Sequence, residues 1–302
     1  MGNLTTRVAS LELANPLILA SGIMGETGDS LLAVIEAGAG AVVTKSVGLE
    51  PRKGYGNPTL VELEDGYINA MGLPNPGIDA FREEMRVACG AKVPIIGSVF
   101  AATAEDFALL ANRLQEYGAE AVELNLSCPH AKGLGMEIGV DPGAVEAIVK
   151  AVKGSISIPI FAKLTPNTNR LMEVAEAAVQ GGADGIVAIN TLRAMAIDIE
   201  ARRPILSNKG GGLSGPALKP VGVRCIYDLH EAVGVPLIGV GGVETWQDAL
   251  EYIMAGASAV QIGSAIGRKG LGVFAEINEG LSEYMERNRV KSLKELVGAA
   301  HE

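Results

Sequence analysis

The segment Asn125-Leu126-Ser127-Cys128-Pro129-His130 ends an apolar run (Ala121, Val122, Leu124) by delivering a thiol where the backbone must turn. Pro129 has no N–H for a ladder and biases Cys128 toward extended backbone, which holds the thiol at a rim rather than inside a helix. Polar and nucleophilic groups at the C-terminal ends of strands are where α/β enzymes keep their chemistry. Asn125 ends that same run, and Ser21, Lys45, Ser46, Ser98, Lys163, Thr165, Asn190 and Thr191 end other apolar runs in the same way. Lys45 and Lys163 each close an otherwise apolar strand, where an ammonium group costs desolvation energy unless an anion or an electron-rich ring pairs with it. Asn69, Asn125 and Asn190 offer donors and acceptors without charge, which suits a planar ring that makes several hydrogen bonds. A turn residue is the plainer reading of Asn69, and a solvated loop residue that of His130. His230 and His301 read as structural or incidental.

A second pattern concerns phosphate. Gly239-Val240-Gly241-Gly242 and Gly263-Ser264 each follow an apolar run late in the chain. Backbone N–H groups in such turns bind a phosphate closely only where no Cβ intervenes. Gly210, Gly212 and Gly215 fit a dinucleotide-binding spacing, but they follow an irregular charged stretch at 200–209 and not a first strand. They read as a flexible glycine-rich loop. Ser214-Gly215-Pro216 then reads as a helix start with a serine cap and a proline in the first turn.

Eight strand-like apolar runs supply these ends, at 16–20, 41–45, 94–99, 121–125, 159–163, 185–190, 236–240 and 259–263, with helical segments between them. Helices are expected at 104–117, at 145–152, and at 168–180 from a capping Thr168 to Gly181-Gly182. Strand and helix repeated eight times spell a (β/α)8 TIM barrel. Its usual length of about 250 residues leaves room for insertions at the C-terminal face of the strands. Over-long connections at 48–78, 127–142 and 191–216 supply them. The segment 132–139, with Gly133, Gly135 and Gly139, reads as a lid.

Among 302 residues, 48% are hydrophobic and only 4% aromatic, as an aliphatic core of buried parallel strands requires. A net charge of −10 without basic blocks argues against nucleic acid or an anionic membrane as partner. Three scattered cysteines read as reduced thiols, too few to ligate an iron–sulfur cluster alone. With no signal segment and no apolar run of membrane-spanning length, a soluble cytoplasmic protein is expected.

The motifs taken together resemble the dihydroorotate dehydrogenases. They are the run from Asn69 to Gly77, Asn125-Leu126-Ser127-Cys128-Pro129, Ala162-Lys163-Leu164-Thr165-Pro166-Asn167, Ile189-Asn190-Thr191, Gly211-Gly212-Leu213-Ser214-Gly215-Pro216, and Gly241-Gly242 with Gly263-Ser264. The resemblance runs from about residue 16 to 267 and implies one FMN-binding TIM-barrel domain, residues 1–302, that oxidises dihydroorotate to orotate in pyrimidine synthesis. It implies that Cys128 is the base removing a proton from ring carbon five while a hydride leaves carbon six for the flavin. Lys45, Asn69, Ala70, Met71, Gly72, Leu73, Asn125, Asn190 and Thr191 would surround the substrate. Ser21, Lys45, Ser46, Asn125, Lys163, Ile189, Gly215, Gly241, Gly242, Gly263 and Ser264 would hold FMN, the last four at its phosphate, with no metal. Ser98 stands at a flavin-side position where relatives often carry asparagine, and His130 where many have asparagine.

A base of cysteine rather than serine resembles the soluble class 1 enzymes, and within them Asp141-Pro142 and Gly212–Pro216 resemble class 1B, the NAD-linked type. That class implies a homodimer of this chain within a heterotetramer, completed by an electron-transfer subunit carrying FAD and an iron–sulfur cluster. Other readings stay open. A related flavin-dependent dihydropyrimidine dehydrogenase would share most motifs, a Schiff-base aldolase could use Lys45 or Lys163, and a non-catalytic phosphate-binding barrel would explain the glycines alone.

Overall fold

Eight parallel strands close into a barrel in the computed structural model, which describes residues 3–127 and 138–301. They are β1 (Leu17–Leu19), β2 (Ala41–Val43), β3 (Ile95–Val99), β4 (Ala121–Asn125), β5 (Ile160–Leu164), β6 (Gly185–Ala188), β7 (Leu237–Val240) and β8 (Ala257–Ile262). Each pairs with its neighbours in chain order, and β8 pairs with β1 to complete the ring. The expected (β/α)8 barrel and its eight strands are therefore present. Cys128, His130 and residues 132–137 of the expected lid lie outside the described residues.

Period-2 alternation sorts each strand's side chains between two cores. Ile18, Ala41, Val43, Ile96, Ala121, Phe161, Val187, Ile238 and Ala259 fill the barrel interior. Their chain neighbours, such as Leu17, Leu19, Val42, Val122 and Leu124, pack outward in the core that includes helical residues. Below the interior, the hairpin Thr6–Val8/Leu11–Leu13 adds Val8, Leu11 and Leu13 to the inner cluster.

The helices follow local chemistry. Thr103 caps Ala104–Glu116 by accepting from the Asp106 N–H, close to the expected 104–117. Asp141 accepts from the Gly143 N–H and Pro142 occupies the first turn, so Pro142–Lys153 begins before the expected 145. The helix expected from Thr168 runs Leu171–Gln180 instead, because the Thr168 hydroxyl accepts from the Arg170 N–H at 3.1 Å and closes a turn ahead of it.

The expected loop at 210–215 is another correction. Gly211–Ser214 is a strand, paired antiparallel with Leu192–Ala194 on one side and Gly66–Asn69 on the other, and Leu60–Leu63 extends the sheet to four strands. Ser214 is thus committed to a ladder and caps no helix. Gly215, at φ 102°, makes the turn into Pro216–Leu218 and the helix Lys219–Ala232. At the far end of the chain, His301 stacks on Tyr227 with ring centroids 3.8 Å apart, and its Nε2 lies 3.1 Å from the Ala255 carbonyl oxygen. No helix among the described residues is long and apolar enough to cross a membrane.

Candidate active site

The C-terminal ends of the barrel strands and the four-stranded sheet enclose a cavity of about 1030 Å³. Small-molecule sites usually span about 300–1,000 Å³, so this one suits a cofactor and a substrate side by side. Most of the residues singled out by their positions at strand ends meet here. Ser21, Lys45, Ser46, Asn69, Ala70, Met71, Gly72, Leu73, Asn125, Lys163, Ile189, Asn190, Thr191, Gly241, Gly242, Gly263 and Ser264 all line it. Ser98 stands behind the wall, its hydroxyl 2.8 Å from that of Ser46. Gly215 stands behind the glycine turn of Gly241-Gly242. Ser127, the chain neighbour of Cys128, is in the wall.

Side-chain hydrogen bonds tie the strand ends together. Ser21 and Ser46 hydroxyls lie 3.2 Å apart, and the Asn125 amide donates to Ser46 at 3.2 Å. Asn125 Oδ1 accepts from the Ser127 N–H at 3.3 Å, while the Asn190 amide donates to the Ser127 hydroxyl at 2.7 Å. Asn190 Oδ1 accepts from the Thr191 N–H at 2.7 Å, and the Asn167 amide donates to the Thr191 carbonyl and the Thr165 hydroxyl. A polar band therefore runs along the wall with its rotamers fixed by its own bonds. Lys45 is 5% exposed beside this band, with its ammonium 3.1 Å from the Glu26 carboxylate.

The insertions roof the cavity. Asn69 ends its strand with a long amide contact, 3.4 Å, to the Gly212 carbonyl. The loop after it is pinned by Asn75, whose buried Oδ1 accepts from the N–H groups of Gly48 and Gly77.

At the opposite end, Gly241 (φ 126°) and Gly242 (φ 68°) turn the chain out of β7. A Cβ on Gly242 would sit 2.7 Å from the Gly215 carbonyl oxygen and 2.9 Å from Lys219 Cβ, so only glycine fits. Neighbouring cations are already paired. Lys219 bonds Asp248 and Glu251 at 2.8 and 2.9 Å, and Arg268 lies 3.5 Å from Glu244. Burial opposes the charge on Lys219, yet its two acid partners hold its pKa above the ordinary lysine value. Backbone N–H groups of the glycine turns are left as the natural anion donors, and these residues fit a phosphorylated cofactor.

The two described thiols are held in the protonated form near neutral pH. Burial pushes Cys225 up to about 11, with Asp228 adding to the shift, and burial followed by Glu120 raises Cys89.

Sequence reasoning missed Glu123, Gln261, Tyr55, Tyr67 and Arg193 in the wall. Glu123 shares a strand face with Asn125, and Gln261 with the inward Ala259, so the same alternation would have found both.

A parallel barrel whose strand ends ring a cavity of this size has the architecture of a (β/α)8-barrel enzyme with its site at the C-terminal mouth. Likeness to known proteins narrows the class. The family described as dihydroorotate dehydrogenase matches residues 3–285. Three relatives, from Methanocella arvoryzae, Thermoplasma acidophilum and Pyrococcus furiosus, are each named dihydroorotate dehydrogenase B (NAD(+)), catalytic subunit. They are 53%, 54% and 55% identical to this chain. The alignments cover 99%, 99% and 95% of this chain and 98%, 99% and 95% of theirs. The chain belongs to the dihydroorotate dehydrogenase family, and the resemblance to class 1B extends over nearly its whole length.

Proposed function

We propose that this chain oxidises (S)-dihydroorotate to orotate in pyrimidine synthesis, with residues 1–302 acting as one FMN-binding domain. The observation that carries this reading is the meeting of Lys45, Asn69, Asn125, Asn190 and Thr191 in the same cavity as the glycine turns after β7 and β8.

Bound FMN supplies the hydride acceptor. Lys45 and the asparagines orient the substrate's carboxylate and ring, and the roof from Asn69 to Leu73 limits water. Cys128, as thiolate, takes the proton from ring carbon five as the carbon–carbon double bond forms. Ser21, Ser46, Asn125, Lys163 and Ile189 would hold the flavin ring, and Gly241, Gly242, Gly263 and Ser264 its phosphate. Gly215 supports that turn from behind. Ser98 acts through Ser46.

Visible spectroscopy without oxygen tests the reading. Dihydroorotate should bleach the flavin band of the purified chain, and Cys128→Ala should slow bleaching about 10²–10⁴-fold at neutral pH, the usual range for a lost general base. Equal rates in the variant would remove Cys128 from its role. A flavin bleached only by uracil- or thymine-type substrates would favour the related dihydropyrimidine enzymes. A chain that takes up no FMN would revive an aldolase, tested by borohydride trapping on Lys45 or Lys163.

We further infer an electron-transfer subunit with FAD and an iron–sulfur cluster, joined to a homodimer of this chain in a cytoplasmic heterotetramer that passes electrons to NAD. The names of the relatives support a separate subunit, and exposed Met195, Ile197, Ile199 and Ile205 offer apolar surface for assembly. Copurification should recover the partner. Full NAD activity in the isolated chain would overturn the inference.

A further inference from the structure

Strand alternation aims Glu123, Lys163 and Gln261 into the barrel one layer above the apolar interior, because Ala121, Phe161 and Ala259 are their inward neighbours two residues back. All three line the floor of the cavity. Glu123 is 0% exposed, Gln261 1% and Lys163 6%. The Lys163 ammonium donates to Glu123 Oε1 at 3.2 Å and to Gln261 Oε1 at 2.9 Å, and the Gln261 amide donates to Glu123 Oε2 at 2.6 Å.

Such a ring is poor value as a structural device, since well-packed apolar residues commonly replace a buried ion pair at no loss of stability. Its use lies in what remains unbonded. Lysine has three N–H donors and the glutamine amide two. The ring consumes two and one of these, leaving one N–H on each residue for a ligand in the cavity. Both Glu123 oxygens are taken, so the carboxylate is fixed against the ammonium and offsets its charge.

We propose that Glu123 is a positioning residue for the cofactor. It orients the Lys163 ammonium and offsets its charge, with Gln261 locking the carboxylate, and so sets the reduction potential of the bound flavin. The inference rests on the FMN reading given above. A flavin gains negative charge on reduction, so a neighbouring cation stripped of its counter-charge stabilises the reduced form and raises the potential. A raised potential would hinder onward transfer to a low-potential acceptor such as NAD.

The test equilibrates FMN-loaded Glu123→Gln, Glu123→Asp and unaltered chain with redox dyes and reads their midpoint potentials from the visible spectrum. Glu123→Gln keeps the shape and removes the charge. It should shift the two-electron equilibrium toward reduced flavin at least tenfold, about 30 mV. Glu123→Asp keeps the charge and shortens the side chain, and its potential should stay closer to that of the unaltered chain. A packing role predicts the reverse order, with the isosteric glutamine variant unaltered. An unshifted or lowered potential in Glu123→Gln overturns the proposal. So does the same shift, or the same loss of flavin, in both variants. Loss of flavin from Glu123→Gln alone supports it. An unaltered chain that takes up no FMN removes the functional reading and this inference together, whereas an FMN-loaded chain with unshifted variants removes only the inference.

Discussion

The half-buried Cys225 thiol, raised from an ordinary 9.0 to about 11, couples folding to alkaline pH. Between those values the unfolded chain has released a proton that the folded chain keeps. The contribution is therefore complete below 9.0 and is lost as pH rises through that window. Urea midpoints of the unaltered chain should fall across that range, and Cys225→Ala should flatten the slope; parallel slopes would refute the link. Gly242 makes a sharper demand. Its φ of 68° and the 2.7 Å approach of the Gly215 oxygen leave no place for a methyl group. Gly242→Ala should weaken FMN binding at least tenfold, about 1.4 kcal/mol, measured by flavin fluorescence on titrating apoprotein. An unchanged affinity would move the phosphate away from this turn. At this scale, residues at strand ends were legible because a lysine or asparagine stands out against an apolar run. Glu123 and Gln261 were not, because they lie inside runs whose overall apolar character hid their inward face.

The four-stranded sheet over the cavity joins segments far apart in the chain, with Asn69 opposite Gly212. Short strands joined by such distant pairing leave no local signature, which is why Gly211–Ser214 read as a loop while the barrel strands, each a run of β-branched and aliphatic residues, read correctly. The sheet has its own small core of Ile68, Ala70 and Leu206, separate from both barrel clusters. That separation makes a prediction. Leu206→Ala should cost about 2–5 kcal/mol of packing, felt first in the roof that carries Asn69 to Leu73. The KM for dihydroorotate should rise while the barrel's melting transition holds, by steady-state kinetics beside calorimetry. A barrel that melts earlier with an unaltered KM would show that the roof is not an independent unit. The shifted start of Leu171–Gln180 teaches the same lesson locally, since a threonine three residues ahead of a helix can close a turn instead of capping it.

Over the whole molecule, the two ends of the barrel divide the work. The C-terminal end gathers polar side chains around the cavity, whereas Val8, Leu11 and Leu13 of the N-terminal hairpin join the apolar interior from the other end. Thr6 donates to the Ser258 carbonyl at 2.8 Å, and Asn3 bridges to Ser292, so the hairpin also links the chain's termini to β8 and the tail. The eight-strand rhythm was plain in the sequence. This closing hairpin was not, because its short strands interrupt Val8, Leu11 and Leu13 with Arg7 and Glu12 and so offer no continuous apolar run of the kind that marks the barrel strands. Leu13 is 2% exposed, so Leu13→Ala should remove about 2–5 kcal/mol of stability by opening a cavity. It should lower the melting temperature and leave the flavin spectrum and the KM for dihydroorotate untouched. Conversely, Asn190→Ala at the opposite mouth removes the donor to Ser127 and should raise KM while the melting temperature changes little. If Leu13→Ala altered KM as much as stability, the apolar interior would be transmitting strain to the site, and the two ends of the barrel could not be varied independently.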